Sequence, residues 1–245
     1  MRSKFEVLRK ILDERIAIAF SGGVDSSTLA ALCKAWNVDV IAITAKIPFI
    51  SKRDLKNAEK AAKEIGVFHI VVDAELPPEV FENTPLRCYF CKKTILRRIK
   101  EVARKRGFEV VADGTNADDM LESRPGLRAL EEEGILSPWA SAGFTKEEIR
   151  RIAKDLGLSF YNRPSNSCLA TRIPHGEKIR LEDLKKVELA EDILLKLVGE
   201  RRVRVRKFGS KAVVEIEEFE SVKENLANAV AMLKSIGFEE VVFLN

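Results

Sequence analysis

No apolar run in this 245-residue chain reaches the roughly 20 residues that a helix needs to cross a bilayer. The opening stretch MRSKFEVLRKILDERIAIAF is charged and amphipathic, which does not read as a signal peptide. These two absences predict a cytoplasmic protein. Cysteine is also scarce: Cys33, Cys88, Cys91 and Cys168 are too few for a structural disulfide framework, and in a reducing compartment they leave metal binding, catalysis or plain packing. An excess of one charge is missing as well. The 42 basic residues face 38 acidic ones, and a net charge of +4 does not by itself mark a nucleic-acid binder. Only two histidines, His69 and His175, accompany 33% charged residues, a balance that leans towards a thermophile's ion-paired surface.

What the chain does have is 46% hydrophobic residues, enough for one large core or a core with an appendage. Over the first two-thirds, strand and helix signals alternate. RIAIAF, DVIAITAKI, VFHIVVDAE and FEVVADG read as strands, and GILSPWASAG reads as a further short strand or extended segment. STLAALCKAW, KRDLKNAEKAAKEIG, CKKTILRRIKEVARKRG and TKEEIRRIAKDLG read as helices, the last with a Thr N-cap and glutamates in its first turn. This βα alternation predicts a doubly wound parallel sheet with helices on both faces. After about residue 176 the texture changes to a helix, an alternating hairpin RRVRVRKFG/SKAVVEIEE, a second helix and a last strand. The expected division is therefore a domain over 1–175 and a small αββαβ domain over 176–245.

AFSGGVDSS carries the strongest signal. A strand runs into a tight turn, two glycines remove side-chain bulk, and a helix begins, aiming unpaired N–H groups and the positive helix end at an anion. Ser21, Ser26 and Ser27 add hydroxyls, and Asp25 is a candidate ligand for magnesium against phosphate. The lysine of G-x-x-x-x-G-K-[ST] is absent, so this is not a loop for terminal phosphoryl transfer. ADGTNADD, at 112–119, falls at the carboxyl end of a predicted parallel strand, where open α/β sheets bind ligands. There Gly114 permits close backbone approach, Asp118 and Asp119 are further magnesium candidates, and a capping turn is the competing explanation. The nucleotide set also takes in Gly22, Gly23, Thr44 and Thr115. Arg124 is a candidate clamp for phosphate or carboxylate.

With these motifs the chain resembles the PP-loop ATP pyrophosphatases, which split ATP to AMP and pyrophosphate; the resemblance implies that Ser21 to Ser26 bind the pyrophosphate end. RCYFCKK, DGTNADD, SRPGLRAL, SPWASAGFTKEEIR and NRPSNSCLATRIPHG together are narrower. They resemble the LarE-type sulfur transferases, which make the thiocarboxylates of a nickel-pincer nucleotide. In that family ATP adenylates a substrate carboxylate and sulfur displaces AMP. One branch sacrifices a lone cysteine in the position of Cys168. The other holds a [4Fe-4S] cluster on three cysteines and carries hydrosulfide on the open iron. Cys88, Cys91 and Cys168 match the second branch, and Arg87, Lys92 and Lys93 are expected to favour the thiolates.

Other readings stay open for these cysteines: zinc on Cys88, Cys91, Cys168 and His175, a persulfide or disulfide relay, or inert thiols. Cys33 reads as core and His69 as a structural histidine. The resemblance further implies that Arg204 and Arg206 bind substrate anions, with Glu215 orienting one of them and Arg172 and Glu191 as weaker candidates; a solvated face with cross-strand ion pairs is the alternative. Family members usually continue into a tail with a Gly-Tyr-Arg stretch, whereas this sequence stops at VVFLN, so a substrate arginine from such a tail is not expected. The expected cofactors are ATP, Mg2+ and [4Fe-4S]. The expected partners are a small nucleotide substrate and an upstream sulfide or persulfide donor, in a homo-oligomer. A tRNA thiolase and an amide-forming ligase with the same ATP chemistry are the rival enzymes, and a non-catalytic nucleotide or metal sensor is the rival from another class.

Overall fold

The computed structural model describes residues 2–12, 15–121, 125–199, 201–226 and 228–244. The chain forms two compact units. The first gathers residues up to Ile47, Lys52–Val80 and Leu86–Arg163, and the second gathers Pro48–Ser51, Phe81–Pro85 and Pro164 onwards. Residues 164–175, grouped with the first domain from sequence, therefore pack with the second unit. Among the described residues no helix is long and apolar enough to cross a membrane.

The first unit runs α1 (Arg2–Ile11), β1 (Ile16–Ala19), α2 (Val24–Ala35), β2 (Val40–Lys46), α3 (Lys52–Ile65) and β3 (Phe68–Asp73). A single turn, α4 (Pro78–Phe81), leads to α5 (Arg87–Arg104), β4 (Val110–Ala112), α6 (Pro125–Glu132), α7 (Pro138–Ser141) and α8 (Lys146–Asp155). The four strands form a parallel sheet in the order β3-β2-β1-β4, with Ile16 facing Val40 on one side and Val110 on the other. Of the strand or extended segment expected over GILSPWASAG, only Leu136 pairs, in an isolated parallel bridge beside Ala112 of β4. PWAS forms the short helix α7 instead, its Ser141 and Ala142 N–H groups bonding back to the Ser137 and Pro138 carbonyls.

Burial explains the strand signals. The central strands β1 and β2 are apolar along nearly their whole length because both faces are covered, whereas the edge strand β3 is largely exposed. Helix α2 is buried at every position from Ser26 to Cys33, so it is covered on all sides and shows no apolar stripe. Helix α8 starts on the expected capping box, with Thr145 Oγ1 accepting from Glu148 N–H and the Glu148 carboxylate accepting from Thr145 N–H. Lys4 ties α1 to the same glutamate. Helix α5 begins at Arg87, earlier than the sequence suggested, because its N-cap, Leu86, has no side chain that caps and so leaves no start signal.

The strand order reverses at β1: β2 and β3 lie on one side and β4 on the other. The loops that leave the carboxyl ends of β1 and β4 therefore emerge beside each other, at the switch point where open parallel sheets take ligands.

The second unit contains α9 (Leu181–Val198), β5 (Val203–Phe208), β6 (Lys211–Ile216), α10 (Ala229–Ser235) and β7 (Glu240–Leu244). β5 and β6 form the expected hairpin, turning at Gly209 in the left-handed region (φ 57°), and β7 adds parallel to β6. The long helix read over SVKENLANAVAMLKSIG is instead two short 3-10 turns, Phe219–Ser221 and Lys223–Leu226, followed by α10.

Candidate functional site

The loop between β1 and α2 is shaped by close backbone contact. Gly22 sits at φ +71°, and a Cβ there would lie 2.4 Å from Ala58 Cα on α3, so only glycine fits the position without a shift. Gly23 is the N-cap of α2 and offers no capping side chain, which leaves the first helix amides open to an external acceptor. The serines brace the turn: Ser21 Oγ and Ser26 Oγ lie 3.1 Å apart, Ser21 N–H donates to Ser26 Oγ, and Gly23 N–H donates to Ser21 Oγ. Ser27 is fully buried and its hydroxyl has no partner. Thr44, counted with the nucleotide set, donates to the Phe20 carbonyl at 2.6 Å and meets His69 Nε2 at 2.7 Å. Since its one proton goes to Phe20, it accepts from His69, which fixes that ring as the Nε2–H form. Thr44 thus supports the end of β1, and His69 is structural as expected; burial pushes its pKa down.

Asp25 faces the loop that follows β4. One carboxylate oxygen, Oδ1, is buried without a hydrogen bond, and Lys146 Nζ stands 3.9 Å from Oδ2. Burial raises the Asp25 pKa, Lys146 opposes that, and Asp119 adds to it. Asn116 lies close enough to favour the carboxylate slightly, yet its own Nδ2 is buried without a good hydrogen bond. A half-buried carboxylate with one buried oxygen lacking a hydrogen bond, beside a second acid, is the donor chemistry a magnesium ion takes, so Asp25 with Asp119 fits one. Asp118 does not share that setting. It is exposed, and its Oδ2 accepts the Lys146 backbone N–H at the start of α8 at 2.8 Å, so the capping explanation holds for it. Asp119 also spends an oxygen on the Asn116 N–H.

Gly114 is where the β1 and β4 loops touch. A Cβ there would come within 2.7 Å of Ser26 N and 3.0 Å of Ser26 Cα, so the close approach is to the first turn of α2 itself. Thr115 is buried and bonded to Asp113. Sequence reasoning passed over four other groups around this loop. Trp139 Nε1 donates to the Asp25 carbonyl at 3.0 Å, Arg163 Nη1 donates to the Gly22 carbonyl at 3.2 Å, and Lys146 and Asn116 face Asp25 as described. Asn116 and Trp139 lay inside quoted motifs, but nothing in the pattern pointed their side chains at α2. Arg124 lies outside the described residues.

Cys88 and Cys91 lie at the start of α5, three residues apart and so on one helix face; Cys88 is exposed and Cys91 half-buried. Two thiol donors on one face fit a thiolate-held metal group. The buried Arg87 donates to Cys88 Sγ at 3.9 Å. The other expected cations are engaged elsewhere: Lys92 with Asp113 at 3.2 Å, and Lys93 with Glu132 and with the Tyr89 hydroxyl. Cys168 belongs to the second unit, as the N-cap of a short 3-10 turn. None of the four cysteines forms a disulfide, and Cys33 is buried in the core with its thiol pushed up to about 12 by burial. Among the described residues no group of three or more His, Cys, Asp or Glu side chains stands ready to hold a metal ion.

Arg172, a candidate substrate ligand, is fully buried. It bonds Glu191 through Nε at 2.6 Å, Ser167 and Thr171 through Nη1, and Asn166 through Nη2. Its donors are consumed, so it anchors the segment that carries Cys168 instead of reaching a ligand; Glu191 completes the anchor by accepting the Val205 N–H. Arg204 and Arg206 do share a face of β5, as expected. Arg206 pairs with Glu215, which stands opposite Arg204 in register. Arg204 Nε is buried without a partner, and its pKa is pushed down by burial first and then by Arg172 and Arg202.

Residues 15–171 match the model of a family of unknown function, DUF7411. The chain is 36% identical over 97% of its length to an uncharacterized protein of Synechocystis sp., slr1717, covering 92% of that protein. It is 31% identical over 84% of its length to the pyridinium-3,5-bisthiocarboxylic acid mononucleotide synthase of Lactiplantibacillus plantarum, covering 75% of it. At 28% identity, 72% of the chain aligns with 57% of the tRNA-specific 2-thiouridylase MnmA of Caulobacter vibrioides.

Proposed function

We propose a function from one premise: the chain belongs to the LarE-type family of PP-loop sulfurtransferases, and by its segment 15–171 to DUF7411. On this reading it uses ATP to activate a carboxylate of a small nucleotide and replaces the activated oxygen with sulfur. The observation that carries the reading is the junction at Gly114. There the first turn of α2, the unpaired Asp25 oxygen and the β4 loop meet at the switch point of the sheet.

The phosphates of ATP lie against the amides that follow Gly22 and Gly23, with Ser21 and Ser26 as hydroxyl donors. A magnesium ion held by Asp25 and Asp119 would offset phosphate charge. A carboxylate oxygen of the acceptor attacks the α-phosphorus. The bond to the bridging oxygen breaks, and pyrophosphate leaves with that electron pair. Hydrosulfide then adds to the acyl carbon, the bond to the adenylate oxygen breaks, and AMP leaves with its pair. The acceptor gains one thiocarboxylate. A [4Fe-4S] cluster on Cys88, Cys91 and Cys168 would supply an open iron for hydrosulfide. Arg204, whose Nε has no partner, is the candidate for the acceptor's anionic groups, and Arg206 is held by Glu215 beside it.

A tRNA acceptor is a second reading, favoured by the MnmA match. Against it, much of the basic charge on α5 is matched by acids: Arg97 and Lys100 meet Glu133, Arg98 and Lys105 meet Glu101, and Lys93 meets Glu132. RNA backbone binding draws on cations that are not already paired. The deciding experiment measures pyrophosphate release from ATP with pyridinium-3,5-biscarboxylic acid mononucleotide or with tRNA as acceptor. Release with the mononucleotide that vanishes in Asp25→Ala supports the reading, and release with tRNA alone transfers the activity to the second one.

A further inference from the structure

Asp113 is nearly buried and belongs to none of the groups assigned above, yet its carboxylate accepts four hydrogen bonds. Oδ1 accepts the Thr115 N–H at 3.1 Å and the Ser137 hydroxyl at 2.8 Å. Oδ2 accepts the Thr115 hydroxyl at 2.6 Å and Lys92 Nζ at 3.2 Å. The bond to Thr115 N–H closes a turn over Gly114, and so sets the backbone that packs on Ser26 in the first turn of α2. Lys92 directly follows Cys91 near the start of α5. A Cβ on Gly126 would meet Lys92 Cδ at 3.3 Å and the Cys88 carbonyl at 3.9 Å, so α6 closes over this side of the turn. One carboxylate therefore joins the backbone at the nucleotide loop to the turn that bears both cysteines, all within the first unit.

We propose that Asp113 is a positioning residue that couples nucleotide occupancy to the cysteine turn. Nucleotide on the α2 amides presses on Ser26 and Gly114; the Asp113 turn moves with Gly114, and Lys92 carries the change to Cys88 and Cys91. Such a link would keep the sulfur-bearing turn ordered only when ATP is in place. The inference rests on the nucleotide-site reading, and linkage makes the effect reciprocal: whatever ordering nucleotide imposes on the turn, ordering the turn returns as nucleotide affinity.

The test uses the full chain with magnesium and α,β-methylene ATP, a nucleotide that cannot release pyrophosphate. Its affinity is measured by calorimetry, and amide hydrogen exchange is followed by mass spectrometry over the peptide spanning residues 86–96. The expected result is a slowing of exchange in that peptide by about threefold or more on saturation. In Lys92→Met and Asp113→Asn the slowing disappears while binding persists, and Lys92→Arg, which keeps a donor, restores it. Asn at 113 can still accept the Thr115 N–H, so it removes the lysine link with the turn over Gly114 in place. Nucleotide that binds with no change in the peptide, or with the same change in both variants, overturns the coupling. Failure of the wild type to bind nucleotide overturns the nucleotide-site reading and the coupling with it.

Discussion

Gly114→Ala tests the junction on which the site is built. The added Cβ would sit 2.7 Å from Ser26 N, 3.0 Å from Ser26 Cα and 3.2 Å from the Asp25 carbonyl carbon. All three are backbone atoms, so no side chain can swing away. Ordinary contact begins near 3.4 Å, so one of the two loops must retreat by about 0.7 Å. Overpacking of this kind costs roughly 1–3 kcal/mol, felt as a drop of several degrees in Tm. The effect on function is larger than the effect on stability, because the same displacement moves the α2 amides and Asp25 relative to the phosphates. Misplacement on the order of 1 Å can cost about 100-fold in rate, and a 10- to 100-fold loss in kcat/KM for pyrophosphate release is expected, roughly. Gly134→Ala is the control. It has a positive φ of 62° and nothing within 4 Å, so it loses about 1 kcal/mol of stability through strain without touching the site. Calorimetry of ATP binding, a pyrophosphate assay and thermal melts on both variants decide the matter. A Gly114→Ala protein with ATP affinity and pyrophosphate release within twofold of wild type would refute the reasoning.

Asp25→Asn should abolish pyrophosphate release while stabilising the protein by about 1 kcal/mol at neutral pH, since it removes the charge from a half-buried carboxylate whose Oδ1 has no hydrogen bond. The sign follows from burial raising the folded pKa: wild-type stability tied to Asp25 is greatest below its unfolded pKa and falls as pH rises through the folded one, and urea titrations at several pH values should show that slope flatten in the variant. Arg172→Met should cost roughly 3–5 kcal/mol by leaving Glu191 buried and uncompensated, and Arg172→Met with Glu191→Gln should recover a large part, because Gln keeps an acceptor for Val205 N–H. Brief alkylation of the native, metal-free chain near pH 8 should label Cys88 well before Cys33, whose thiol is buried and pushed up to about 12; peptide mass spectrometry showing equal labelling would place Cys33 outside the core.

Much of the first unit was legible because local signals and global packing agree there. Buried central strands are apolar without alternation, Gly66 and Gly157 stop their helices at positive φ, and Thr145 with Glu148 announces α8. The tight turn between β1 and α2 was legible for the same reason, since Gly22 answers a local steric demand. What escaped the sequence depends on partners far along the chain. Arg172 looked like a ligand because Glu191, which buries it, comes from a helix whose face cannot be matched to it by spacing. Segments 48–51 and 81–85 pack with the second unit through pairs such as Leu169 N–H to the Phe49 carbonyl and Ile179 N–H to the Phe81 carbonyl, which no periodicity encodes. Lys92 and Lys93 read as neighbours of the cysteines until Asp113 and Glu132 claimed them. The start of α5 was missed because Leu86 gives no capping signal.

The most direct test of sulfur transfer follows the product. The chain, purified without oxygen, is given ATP, magnesium, sulfide and pyridinium-3,5-biscarboxylic acid mononucleotide, and the acceptor is examined by mass spectrometry. The account predicts exchange of one carboxylate oxygen for sulfur, with AMP and pyrophosphate formed in step, and neither product nor pyrophosphate in Asp25→Ala. ATP consumed to ADP, or AMP and pyrophosphate formed while the acceptor takes up no sulfur, would contradict it.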